Sequence, residues 1–128
     1  MNILIIEDDK LTLHSLKHVI ESLGHKVVLA ENAEEAMNKI VDGKFDLVFS
    51  DIMMPGISGL SLLTILRTVH LVKTPIVAMS ILNDKPVVEA AFAAGANDFM
   101  VKPFTLEGLT ETLNKFDANF ASDVEKSR

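Results

Sequence analysis

Apolar residues in this chain follow two alternating rhythms. Short unbroken runs rich in isoleucine and valine occur at NILII (2–6), KVVLA (26–30), DLVFS (46–50), PIVAM (75–79) and DFMV (98–101). Runs of this length and continuity suit strands covered on both faces. Between them the apolar positions fall at helical spacing: Leu16, Val19, Ile20 and Leu23; Ala33, Ala36, Met37, Ile40 and Val41; Leu62, Leu63, Leu66 and Val69; an alanine-rich stretch through Ala94; and Leu106, Leu109, Leu113, Phe116 and Phe120. Boundary residues agree. Asp9, Asn83 or Asp84, and Thr105 can cap helices, the third helix begins near Ser58–Gly59, and Pro86 falls in the first turn of the fourth. Gly24, Gly43 and Gly95 supply stops.

Five strands alternating with five helices predict an α/β fold, a doubly wound five-stranded parallel sheet of flavodoxin-like (βα)5 type in the order 2-1-3-4-5. Ligands of such sheets bind beyond the carboxyl ends of the strands, where the strand order reverses. Here that point lies between strands one and three.

Composition narrows the function. At 128 residues, 48% of them hydrophobic, the chain is large enough for one domain with a real core. Cysteine is absent, which excludes thiolate metal sites and disulfides. A net charge of −6 without a basic cluster argues against direct nucleic-acid binding. The opening MNILII is too short an apolar run for a signal peptide, and no stretch could span a bilayer. A cytoplasmic protein that binds no membrane is expected.

The strand ends carry the chemistry. Strand one runs into Glu7, Asp8 and Asp9, strand three into Asp51, strand four into Ser80, and strand five into Lys102–Pro103. The predicted order brings the acids of strands one and three together. Clustered carboxylates repel and call for a cation. Oxygen ligands without histidine or cysteine favour a hard ion, and Mg²⁺ fits best because it accepts few carboxylates and keeps positions for water or phosphate oxygens. With Lys102 as a second positive charge and Ser80 as a hydroxyl donor, the edge suits a dianionic group, with an Asp51 oxygen directed at its centre. Asp9 reads instead as the cap of helix one.

In ILIIEDD, DLVFSDIMMPGISG, PIVAMS and GANDFMVKPF, in this order and at these spacings, the chain resembles the receiver domain of two-component response regulators over about residues 2–117. The resemblance implies that residues 1–121 form the receiver domain, with 122–128 a polar tail, disordered or the start of a linker. It also implies roles. Asp51 would be the phosphoacceptor, receiving a phosphoryl group from a histidine kinase or histidine phosphotransfer protein. Asp8 would bind Mg²⁺ directly and Glu7 through water, with the Met53 carbonyl as a further ligand. Lys102 would contact the phosphoryl oxygens, Ser80 would be the switch hydroxyl and Phe99 the switch aromatic, and Pro103 would follow a cis peptide bond.

Such a domain is no enzyme in the usual sense, since it catalyses only its own phosphorylation and dephosphorylation. Phosphorylation would reshape the surface of helix four, strand five and helix five for a downstream protein or fused output domain, with a phosphorylation-dependent dimer as one form of response. Two features depart from the family pattern. Ile81, where a small residue is usual, would crowd the path of Phe99 or the mouth of the site. Met53 and Leu82, two residues after Asp51 and Ser80, would shield the phosphoryl group from water and slow its loss.

Three rival readings are weaker. A Mg-dependent phosphohydrolase of similar topology usually carries a second aspartate two residues after its nucleophile, where this chain has Met53. A flavodoxin-type binding module needs backbone and hydroxyl donors after strand one, where this chain has EDDK. A degenerate receiver would lack the acid pair, the nucleophile or the lysine.

Overall fold

The structure is a computed structural model and describes residues 1–54 and 56–117. Its elements are β1 (Asn2–Ile6), α1 (Lys10–Ser22), β2 (Lys26–Ala30), α2 (Ala33–Asp42), β3 (Leu47–Asp51), α3 (Gly59–Thr68), β4 (Ile76–Ser80), α4 (Lys85–Ala93), β5 (Asp98–Val101) and α5 (Leu106–Phe116). All strand pairs are parallel and the sheet order is β2-β1-β3-β4-β5, as the alternating rhythm predicts.

The continuous apolar runs work because both faces of the sheet are covered, and alternate residues of each central strand enter different cores. Ile3, Ile5, Leu47, Phe49, Val77 and Met79 pack with α1 and α5. Leu4, Ile6, Val48, Ile76 and Ala78 pack with α2, α3 and α4. The central strands β3 and β4 are buried throughout, whereas the edge strands β2 and β5 are partly exposed.

Local chemistry sets the ends. Asp9 caps α1 by accepting from the Thr12 amide, and Thr105 caps α5 by accepting from the Gly108 amide. Asn32 accepts from the Glu35 amide while the Glu35 carboxylate accepts from the Glu31 amide, a reciprocal arrangement at the start of α2. Asp84 occupies the N-cap of α4, but its side chain makes no capping bond; Pro86 in the first turn leaves fewer amides needing one.

Some expectations are corrected. β3 and β4 each begin and end one residue later than the apolar runs suggest, so Asp51 and Ser80 are the last residues of their strands. Ladder pairing extends past the hydrophobic run, since backbone groups pair whatever the side chain. In α5, Leu109 and Leu113 are buried, but Leu106 in the first turn is 61% exposed because the helix enters from solvent there. Phe120 and the tail lie outside the described residues.

Candidate functional site

Register builds the site. Ile6 of β1 pairs with Ser50 of β3, so the next residues, Glu7 and Asp51, leave the sheet side by side. Ser80 of β4 pairs with Val101 of β5, and Lys102 follows directly, its amide donating to the Ser80 carbonyl at 2.9 Å. The Lys102–Pro103 peptide is cis. Gly59, at the first turn of α3, closes the other side. A Cβ there would lie 2.1 Å from the Asp51 carbonyl oxygen, so only glycine allows the helix this close to the strand end.

The Lys102 ammonium sits between two carboxylates. It pairs with Glu7 Oε1 and lies 3.1 Å from Asp51 Oδ2. The other Asp51 oxygen, Oδ1, accepts from the Met53 amide at 2.9 Å, so the carboxylate is held at both ends. Glu7 and Asp51 are buried, and Glu7 Oε2 has no hydrogen-bond partner. Burial, then the neighbouring Asp51, push the Glu7 carboxyl up to about 8, with Lys102 pulling the other way. Burial lowers the Lys102 ammonium, but its bonds to Glu7 and the charge of Asp51 outweigh that and hold it above its ordinary value.

One carboxylate oxygen each from Glu7, Asp8 and Asp51 lies within 4.8 Å of the others, and Asp8 is exposed where the other two are buried. Three converging hard oxygens, one deep oxygen without a partner and no soft donor suit a hard divalent cation such as Mg²⁺. An open cleft of about 580 Å³ lies over these groups. Asp8, Asp51 and Lys102 face it, and Leu11, Met53 and Ile81 form apolar walls.

The other predicted residues are less closely gathered. The buried Ser80 hydroxyl accepts from the Leu82 amide at 3.1 Å and does not line the cleft. Phe99 is half-buried, packed against the α2–α3–α4 core, and borders a second hollow of about 340 Å³ beside α5. Ile81 stands at the mouth of the cleft, 73% exposed. Leu82 does not line the cleft as expected, because its amide bonds back to Ser80 in a tight turn that directs the side chain elsewhere. Asp9 keeps its capping role. Sequence reasoning missed the Glu7–Lys102 pair, Gly59 and the Leu11 wall. The glycine just after the cap Ser58 was the one available signal.

Comparisons with known proteins agree with this fold. The family model "Response regulator receiver domain" matches residues 3–114. The transcriptional regulatory protein CrdR of Helicobacter pylori is 32% identical over 114 residues, covering 89% of this chain and 54% of the relative. The chain thus spans about half the length of that curated relative. Among solved structures, the chemotaxis protein CheY4 of Vibrio cholerae superposes with a TM-score of 0.85 at 27% identity, covering 91% of this chain and 98% of that one. The response regulator protein TrrA of Thermotoga maritima, solved in complex with Mg²⁺–BeF, gives 0.80 at 31% identity with the same coverages.

Proposed function

The chain belongs to the response regulator receiver domain family, and on that premise we propose that it is a phosphorylation-operated switch whose acceptor is Asp51. The observation that carries this reading is the junction of Asp51, Lys102 and Glu7 beneath an open cleft, with Asp8 completing the acid set.

In the proposed step an Asp51 carboxylate oxygen attacks the phosphorus of a phosphohistidine on a histidine kinase or phosphotransfer protein. The oxygen–phosphorus bond forms as the phosphorus–nitrogen bond breaks, and the histidine nitrogen leaves with the electron pair. The Met53 amide and Lys102 fix the carboxylate, which removes rotational freedom before the reaction. Lys102 then turns its donors toward the new phosphoryl oxygens. Asp8, Asp51 and the Met53 carbonyl would hold Mg²⁺, with Glu7 acting through water. The bound ion supplies screening of the negative charge that gathers at the site.

The phosphoryl group adds close to two negative charges and three acceptor oxygens. Ser80 gives up its bond from Leu82 to donate to it, and Phe99 follows into the space behind β4. The α4–β5–α5 surface changes, and a downstream protein or fused output domain that distinguishes the two surfaces shifts their populations. The apolar walls limit water access and slow phosphoryl loss. Among the described residues no helix is long and apolar enough to cross a membrane; a cytoplasmic location is part of this reading.

The test is mass spectrometry after incubation with acetyl phosphate and Mg²⁺. One added phosphoryl group is expected, absent in Asp51→Asn and absent with a chelator. Phosphoryl uptake undiminished in Asp51→Asn overturns the assignment.

A further inference from the structure

Sulfur in this chain is confined to six methionines, since cysteine is absent. Tryptophan and tyrosine are absent too, so a mild peroxide finds its readiest target in a thioether. Burial then separates the six. Met79 and Met100 are buried in the core beside α1 and α5, and Met1 packs against it. Met37 packs against the opposite core, and Met54 is only 8% exposed. Met53 is 56% exposed. The most exposed methionine of the described residues therefore lies on the wall of the cleft over Asp51, two residues along the chain, with its own amide on the Asp51 carboxylate.

We propose that Met53 is an oxidation site through which hydroperoxides shorten the life of a phosphoryl group on Asp51. The inference rests on the reading of Asp51 as phosphoacceptor. A sulfur lone pair of Met53 attacks one peroxide oxygen, the sulfur–oxygen bond forms and the oxygen–oxygen bond breaks. Proton transfer within the peroxide and its solvent releases water, or an alcohol from an alkyl hydroperoxide. Sulfur loses two electrons and the peroxide gains them. The product replaces an apolar wall with a polar sulfoxide whose oxygen accepts hydrogen bonds strongly. Position 53 then no longer extends the apolar wall that Leu11 and Ile81 form, and the sulfoxide holds water beside the phosphorus. Met54 is a control built into the chain, with the same chemistry one residue away and only 8% exposed.

The experiment treats the protein with hydrogen peroxide, removes the peroxide with catalase and maps the added oxygen by peptide mass spectrometry. The same sample is then phosphorylated with acetyl phosphate and Mg²⁺, desalted, and followed for loss of the phosphoryl group. Met53 should gain oxygen before Met54, Met79 and Met100. Phosphoryl loss should quicken several-fold, and methionine sulfoxide reductases should restore the original rate. In Met53→Leu, peroxide should leave the rate of loss where it was before treatment. Oxidation of Met54 ahead of Met53 overturns the proposal. So does a rate of loss unmoved by complete Met53 sulfoxide in a protein that phosphorylates normally. A protein that accepts no phosphoryl group before any peroxide is added overturns the functional reading itself, and this inference with it.

Discussion

At the scale of single residues, the site is governed by a shortage of positive charge. Glu7 and Asp51 leave adjacent strands side by side, and one half-buried ammonium serves both. Removing one partner of a buried ion cluster costs more than the cluster itself contributes, because the remaining charges lose compensation. Lys102→Met should therefore lower stability by about 3 kcal/mol in Mg²⁺-free buffer. A divalent ion can take over part of the ammonium's compensating role, so the deficit should shrink when Mg²⁺ is added. Urea unfolding of both proteins with and without Mg²⁺ measures this, and an equal deficit under both conditions would remove the ion from the carboxylate cage. Gly59 shows the complementary constraint, where the lack of a side chain rather than a charge allows α3 to meet the end of β3.

Among the elements, α5 separates periodicity from burial. Its spacing marks Leu106, Leu109 and Leu113 as one stripe, yet Leu106 faces solvent while the other two enter the core. A helix stripe is buried only where a neighbour covers it, and Leu106 in the first turn of α5 is left uncovered. Leu113→Ala should cost about 2–4 kcal/mol through lost contacts and a residual cavity. Leu106→Ser should stay within about 0.5 kcal/mol of the parent. Thermal or urea unfolding distinguishes them; equal losses would mean that Leu106 is covered in solution. The same distinction explains β3 and β4, whose hydrogen-bonded span runs past the last apolar residue to the residue that carries the chemistry.

For the whole molecule, the two edges of the sheet do different work. The carboxyl edge gathers charge, and the opposite edge is tied together by Arg67. Its guanidinium donates to the carbonyls of Gly95, Val72 and Thr74 and to the Asn97 side chain, at 2.7–3.0 Å. One side chain thus joins α3, the turn before β4 and the turn before β5. Arg67→Met should leave the three carbonyls without this donor, with Asn97 keeping only its bond from the Ile76 amide, and cost about 2–4 kcal/mol. Phosphoryl uptake at Asp51 should persist in the folded fraction, since the two edges share no side chain. Unfolding and acetyl phosphate labelling of the same variant measure both, and lost uptake in a folded variant would show that the edges are coupled.

Arg67 and its acceptors were not legible in the sequence, because a half-buried arginine at a helix end reads as an ordinary surface residue until its neighbours are known. Asp51, Asp8, Glu7 and Lys102 were legible because topology alone sends strand-end residues of neighbouring strands to one edge. The sequence by itself determined the alternation of strands and helices and hence the fold class, since apolar runs, period-3.6 stripes and turn residues are local properties; the strand order followed from the rules of parallel crossover folds. Only the tertiary structure decided that Lys102 pairs with Glu7 as well as Asp51, that Ile81 rather than Leu82 walls the cleft, and that Leu106 is left in solvent. Those outcomes depend on distances between segments far apart in the chain, and no local pattern encodes them.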